Sequence, residues 1–68
     1  MDQRSIARTA QRIRGEYREM PGLSLTAEQA RRLWGLDERA CQAILDVLVE
    51  LNFLRRTTRG SYVRRDAA

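Results

Sequence analysis

Arginine is the residue type whose number and placement give this chain chemistry to offer: all thirteen basic residues are Arg, with no Lys and no His. A guanidinium is planar, always charged and carries a fork of donors that fits a phosphate or a guanine edge. The chemistry on offer is therefore anion and base recognition rather than proton transfer. Net charge is +4, and its spread says more than its sum. Residues 1–20 hold five Arg against three acids, 21–36 two against one, 37–52 one against four, and 53–68 five against one. A basic segment beside a folded core is an electrostatic footprint suited to phosphate, the plain alternative being solvated charge with no partner.

Other chemistries lack their parts. With no His, a single Cys41, no Gly-rich phosphate loop and carboxylates on solvent-facing positions, the chain offers no nucleophile with a base and no metal-ligand cluster. An enzyme, a cofactor, a bound metal and a small-molecule substrate are not expected. Cys41 lies on an apolar stripe and reads as a small buried hydrophobe. There is no 18-residue apolar run and no charged-then-apolar leader, so the expectation is a soluble, cytoplasmic chain without a membrane span. Five Arg on the first helix suggest a membrane surface, but that face lacks the bulky apolar wedge an interfacial helix needs.

The elements that must position the arginines follow from hydrophobic period and caps. A 68-residue chain reads as one domain over 1–68, of a size that buries about 60% of its unfolded surface, so every apolar stripe has to be used. Ile6, Ala10, Ile13, Tyr17 and Met20 recur at spacings of four and three, predicting a first helix over about 3–20 that Pro21-Gly22 ends. Arg4, Arg8, Arg12, Arg14 and Arg18 fall off that stripe. Leu23-Ser24-Leu25 alternates and reads as a one-bridge strand. Thr26 and Gln29 form a capping box, so a second helix is expected over about 27–34, stopped by Gly35, with Ala27, Ala30, Leu33 and Trp34 facing the core.

Asp37 caps a third helix over about 38–51. Ala40, Cys41, Ile44, Leu45, Val47, Leu48 and Leu51 share one wide face of it, and Arg39, Gln42, Ala43, Asp46 and Glu50 fall opposite. Asn52 reads as a left-handed cap, and 53–65 as a hairpin with strands over 53–57 and 61–64 and a turn at Arg59-Gly60. Its loop holds two, three or four residues, and the choice decides whether Tyr62 or Val63 shares a face with Leu54. Asp66, Ala67 and Ala68 are expected to fray.

Helix, short strand, helix, helix, strand, strand is the order of a winged helix-turn-helix, mainly α with a small β-sheet and a C-terminal hairpin wing. The residues that carry the likeness are Leu23-Ser24-Leu25-Thr26, Gly35-Leu36-Asp37, Ala43-Ile44-Leu45 with Leu48 and Leu51, and Arg59-Gly60-Ser61-Tyr62. On these the chain resembles, over about 6–64, the N-terminal DNA-binding domains of bacterial winged helix-turn-helix regulators of the IclR and MarR types. Through Glu19-Met20-Pro21-Gly22 and Arg32-Leu33-Trp34-Gly35 it is also similar to short stand-alone bacterial proteins of unassigned function.

The resemblance implies transcription regulation on double-stranded DNA, with the third helix in the major groove and the wing along a phosphate strand or in the minor groove. It would place base-edge contacts at Glu38, Arg39, Gln42 and Ala43, with Arg39 suited to guanine and Gln42 to adenine. Phosphate contacts would fall to Arg55, Arg56, Arg59 and Arg64, with Thr57, Thr58 and Ser61 as hydroxyl donors, and to Arg31 or Arg32 of the second helix. Homodimers on two half-sites are common in such regulators, and here the first helix or the chain ends would have to form one.

The third helix departs from that pattern. Where such regulators usually offer Ser, Thr, Arg or Lys, it offers Glu38, Asp46 and Glu50 with a single Arg. Glu38 either accepts a hydrogen bond from cytosine or favours the helix N-terminus electrostatically, and the second is the simpler reading. The competing expectation is a protein-interaction module that docks the acidic and apolar face of this helix on a partner, joined by Trp34 if that side chain protrudes.

Overall fold

Caps written into the sequence set the helix boundaries. The structure, a computed structural model, describes residues 3–65 and contains α1 (Gln3–Glu19), β1 (Ser24–Thr26), α2 (Ala27–Trp34), α3 (Glu38–Glu50), β2 (Leu54–Arg56) and β3 (Ser61–Arg64). The Thr26 hydroxyl accepts the Gln29 N–H at 3.2 Å and Gln29 Oε1 accepts the Thr26 N–H at 2.9 Å, a complete capping box. Gly35 turns left-handed at φ 62°, which lets the Leu36 N–H reach Arg31 O at 3.0 Å and stops α2. Two residues later Asp37 Oδ1 accepts the Ala40 N–H at 2.7 Å and starts α3. At the far end of α3 Asn52 adopts φ 60°, with the Phe53 N–H on Leu48 O and the Asn52 N–H on Val49 O, each at 3.0 Å. That double bond is a Schellman closure, and it swings the chain directly into β2.

The three strands form one antiparallel sheet in the order β1-β3-β2. Opposite Tyr62 of β3 stand Leu25 on one side and Arg56 on the other. The first strand makes three pairings rather than a single bridge, from Ser24 opposite Val63 to Thr26 opposite Ser61. The hairpin loop holds three residues, Thr58, Arg59 and Gly60: the Thr57 N–H donates to Ser61 O at 2.7 Å, the Gly60 N–H to Thr57 O at 3.0 Å, and Gly60 takes φ 82°. With that loop length Tyr62, not Val63, shares the inner face with Leu54.

The core is Ala10, Ile13 and Tyr17 of α1, Ala30 of α2, Cys41, Ile44, Leu45 and Leu48 of α3, and Leu54 and Tyr62 of the hairpin. Tyr17 crosses it and donates its hydroxyl to Tyr62 O at 2.8 Å, tying α1 to the central strand. Burial pushes the Tyr17 phenol up to about 12. Cys41 is buried, its thiol donates to Ala27 O at 3.5 Å, and burial pushes its pKa up against a smaller opposing effect of Arg31.

Four residues expected in the core are exposed instead: Met20, Leu33, Val47 and Leu51, the last at 61%. Helix α1 ends at Glu19, so Met20 leaves its stripe as the chain turns at Pro21-Gly22. Ala27, Ala30 and Trp34 define the inward line of α2, and Leu33 lies roughly a quarter turn from it. On α3 the line runs through Cys41, Ile44, Leu45 and Leu48, and the flank drawn in beside it is Val49, next to Arg56 and Tyr62, rather than Val47 and Leu51. Trp34 is half-buried against the core, with its ring N–H on Glu16 Oε2 at 3.3 Å. The fraying expected at Asp66, Ala67 and Ala68 lies outside the described residues. Among the described residues no helix is long and apolar enough to cross a membrane.

Candidate nucleic-acid interface

Sheet register decides where the hairpin arginines point. Arg55 pairs with Val63 on the face turned away from the core, while Leu54 and Tyr62 turn inward and are buried. Arg59 stands exposed in the loop beside exposed Thr58. Arg56 is exposed as well; its guanidinium passes near Gly60 and shares a shallow groove with Gln42, Asp46, Glu50 and Tyr62. Among the described residues none of these three arginines forms an ion pair. A guanidinium with no partner acid has its charge and its planar fork of donors open to an arriving anion.

The other hairpin candidates are engaged to different degrees. Thr57 closes the turn, its Oγ1 accepting the Ser61 N–H at 3.1 Å, and Ser61 is half-buried. Arg64 lies against the body, its guanidinium carbon 5.8 Å from the centre of the Phe53 ring, and Arg14 of α1 lies 5.1 Å from the same ring. Such contacts are worth about 0.5–2 kcal/mol, enough to hold a guanidinium in place. Tyr17 meets that ring edge-on with centroids 6.4 Å apart. On α2, Arg31 and Arg32 converge on one oxygen, Glu28 Oε1, at 3.8 and 3.2 Å. Exposed pairs of this kind are weak, yet they halve the charge α2 presents.

The α3 edge is built differently. Glu38 and Arg39 are exposed and Ala43 is half-buried, so the edge expected to meet bases is accessible. Gln42 is engaged within the protein: its amide nitrogen donates to Asp46 Oδ1 at 2.9 Å and to the Tyr62 hydroxyl at 3.2 Å. A bidentate contact to adenine needs that same amide nitrogen, which is already committed on both hydrogens. The grooves on either side of the α3 N-terminus are lined by Asp37 and Glu38, joined on the α2 side by Glu28.

Four further cations on this body were not among the contacts expected from the sequence. The Arg65 N–H donates to Phe53 O at 3.0 Å, carrying the hairpin ladder one step past β3 with the residue exposed. Its alternation with Val63 was the available signal. On α1, Arg4, Arg8 and Arg12 are all exposed at a constant spacing of four. Compared with protein-family models, curated proteins and solved structures, the chain matches none.

Proposed function

We propose that the chain is a winged-helix DNA-binding protein, a small bacterial transcriptional regulator or accessory factor, which grips the phosphate backbone of duplex DNA through its hairpin and reads bases to a limited extent through α3. The order of three helices and the antiparallel hairpin supports the winged-helix reading. One observation carries the functional reading: Arg55, Arg56 and Arg59 are exposed on one hairpin with no ion pair among the described residues. Phosphate contacts of this sort fix position without reading sequence. Arg39 is then the α3 side chain with the donors to discriminate a base pair, since Gln42 is committed and Glu38 repels the backbone.

A salt series tests this directly. Fluorescence anisotropy on a random duplex should show log affinity falling linearly with log salt, with a slope of about −0.9 for each phosphate contacted and hence about −3 for three arginines. No binding in dilute buffer overturns the proposal. A second reading, a protein-docking module, draws on Val47 of α3 and Leu51 at its C-cap, exposed one turn apart beside Asp46 and Glu50.

A further inference from the structure

We infer that the outer face of α1 is a second polyanion contact, so that one molecule bridges two segments of duplex DNA. This rests on the hairpin reading for the first segment and adds a second, independent surface. At about 100° per residue, Arg4, Arg8 and Arg12 fall on one stripe, on the side of α1 away from Ile6, Ala10, Ile13 and Tyr17. All three are exposed, and none of their side chains has an ion pair or hydrogen bond among the described residues. The arrangement works against the helix that carries it. Like charges four apart repel, and Arg4 sits in a first turn that holds no acid, where the helix dipole disfavours a cation. Charge placed at a cost to the helix fits a partner outside it.

The spacing suits a nucleic-acid strand. Eight residues of helix carry the stripe across roughly 12 Å, and phosphates recur along a duplex strand at roughly 3.4 Å of axial rise, so three guanidiniums span three or four phosphates. The stripe faces away from the core on α1 and Arg55 faces away from it on the sheet, while Tyr17 of α1 reaches through the core to the Tyr62 carbonyl of the central strand. A body 20 Å across in its shorter directions separates the two surfaces. On this inference each surface takes its own duplex segment.

The test captures a labelled duplex on a bead-tethered one at low salt, beside anisotropy on one duplex in solution. The wild-type chain should recover the second duplex. R4Q/R8Q/R12Q should cut recovery at least about tenfold while single-duplex affinity falls by no more than about threefold, and M20E/L51E, a comparable charge change at exposed positions off the stripe, should leave recovery intact. Unchanged recovery with the stripe neutralised overturns the inference and assigns bridging to paired copies that each use a hairpin. Single-duplex binding without bridging overturns it and leaves the hairpin reading standing. No binding to any duplex overturns both, even if the stripe captures an acidic protein.

Discussion

The hairpin and α3 adjoin on one small body and carry opposite charge: residues 53–68 hold five Arg against one acid, residues 37–52 one against four. They differ as much in how far their polar groups are committed. On α3, Asp37 is spent on the Ala40 N–H, and Gln42 and Asp46 on each other. On the hairpin, Arg55, Arg56 and Arg59 are exposed and form no ion pair among the described residues, Arg56 lying along the groove that Asp46 and Glu50 also line. Under the proposed winged-helix reading, fold alone would make α3 the working surface. Electrostatics and hydrogen-bond accounting move the weight to the hairpin, since a polyanion meets free cations there and carboxylates on its neighbour.

The largest effect is expected from reversing charge on the stronger side. R56E/R59E should weaken every duplex alike, on the order of 100-fold at low salt, and reduce the salt slope by about two; unchanged anisotropy curves would show that the hairpin is not the contact. Next comes the one α3 side chain with base-reading donors. Arg39→Ala should cut the preference between competing duplexes about tenfold while overall affinity falls less, and a competition assay on a randomised duplex pool reads the difference. Smaller again, neutralising the weaker side should help binding. Glu38→Gln and Glu50→Gln should each tighten it about twofold at low salt, and no change would put the polar face of α3 away from the duplex.

The smallest effect at neutral pH is expected from the group that ties the hairpin to α1. Tyr17 titrates near 12 when folded against 10.0 unfolded, so its contribution is intact below pH 10 and is lost as pH rises through 12. Melting temperature should fall across that window, and Tyr17→Phe should flatten the fall in thermal melts.

Features set within a few residues were legible in the sequence. The capping box at Thr26 and Gln29, the Asp37 cap, the stop at Gly35 and the left-handed Asn52 each depend on local backbone and one side chain. The Glu28 pairing of Arg32 was equally open, being an acid four residues ahead of a base. The hairpin loop was not, because Thr58-Arg59-Gly60 allows several turns and the choice is fixed by which side chain must reach the core. Gln42 was hidden for a related reason: its partner Tyr62 is twenty residues away and arrives beside it only when β3 docks. Val47 and Leu51 show the limit of a helical wheel, which gives the width of an apolar face but not which flank a neighbouring strand will cover.

Phe53 has a consequence for supply rather than shape. By keeping Arg14 and Arg64 against its ring it withholds two cations from solvent, so the number of positive groups an outside molecule meets is smaller than the formula suggests. Swapping that aromatic for an aliphatic would leave net charge untouched while releasing both, making the protein stickier toward anions without adding a single arginine.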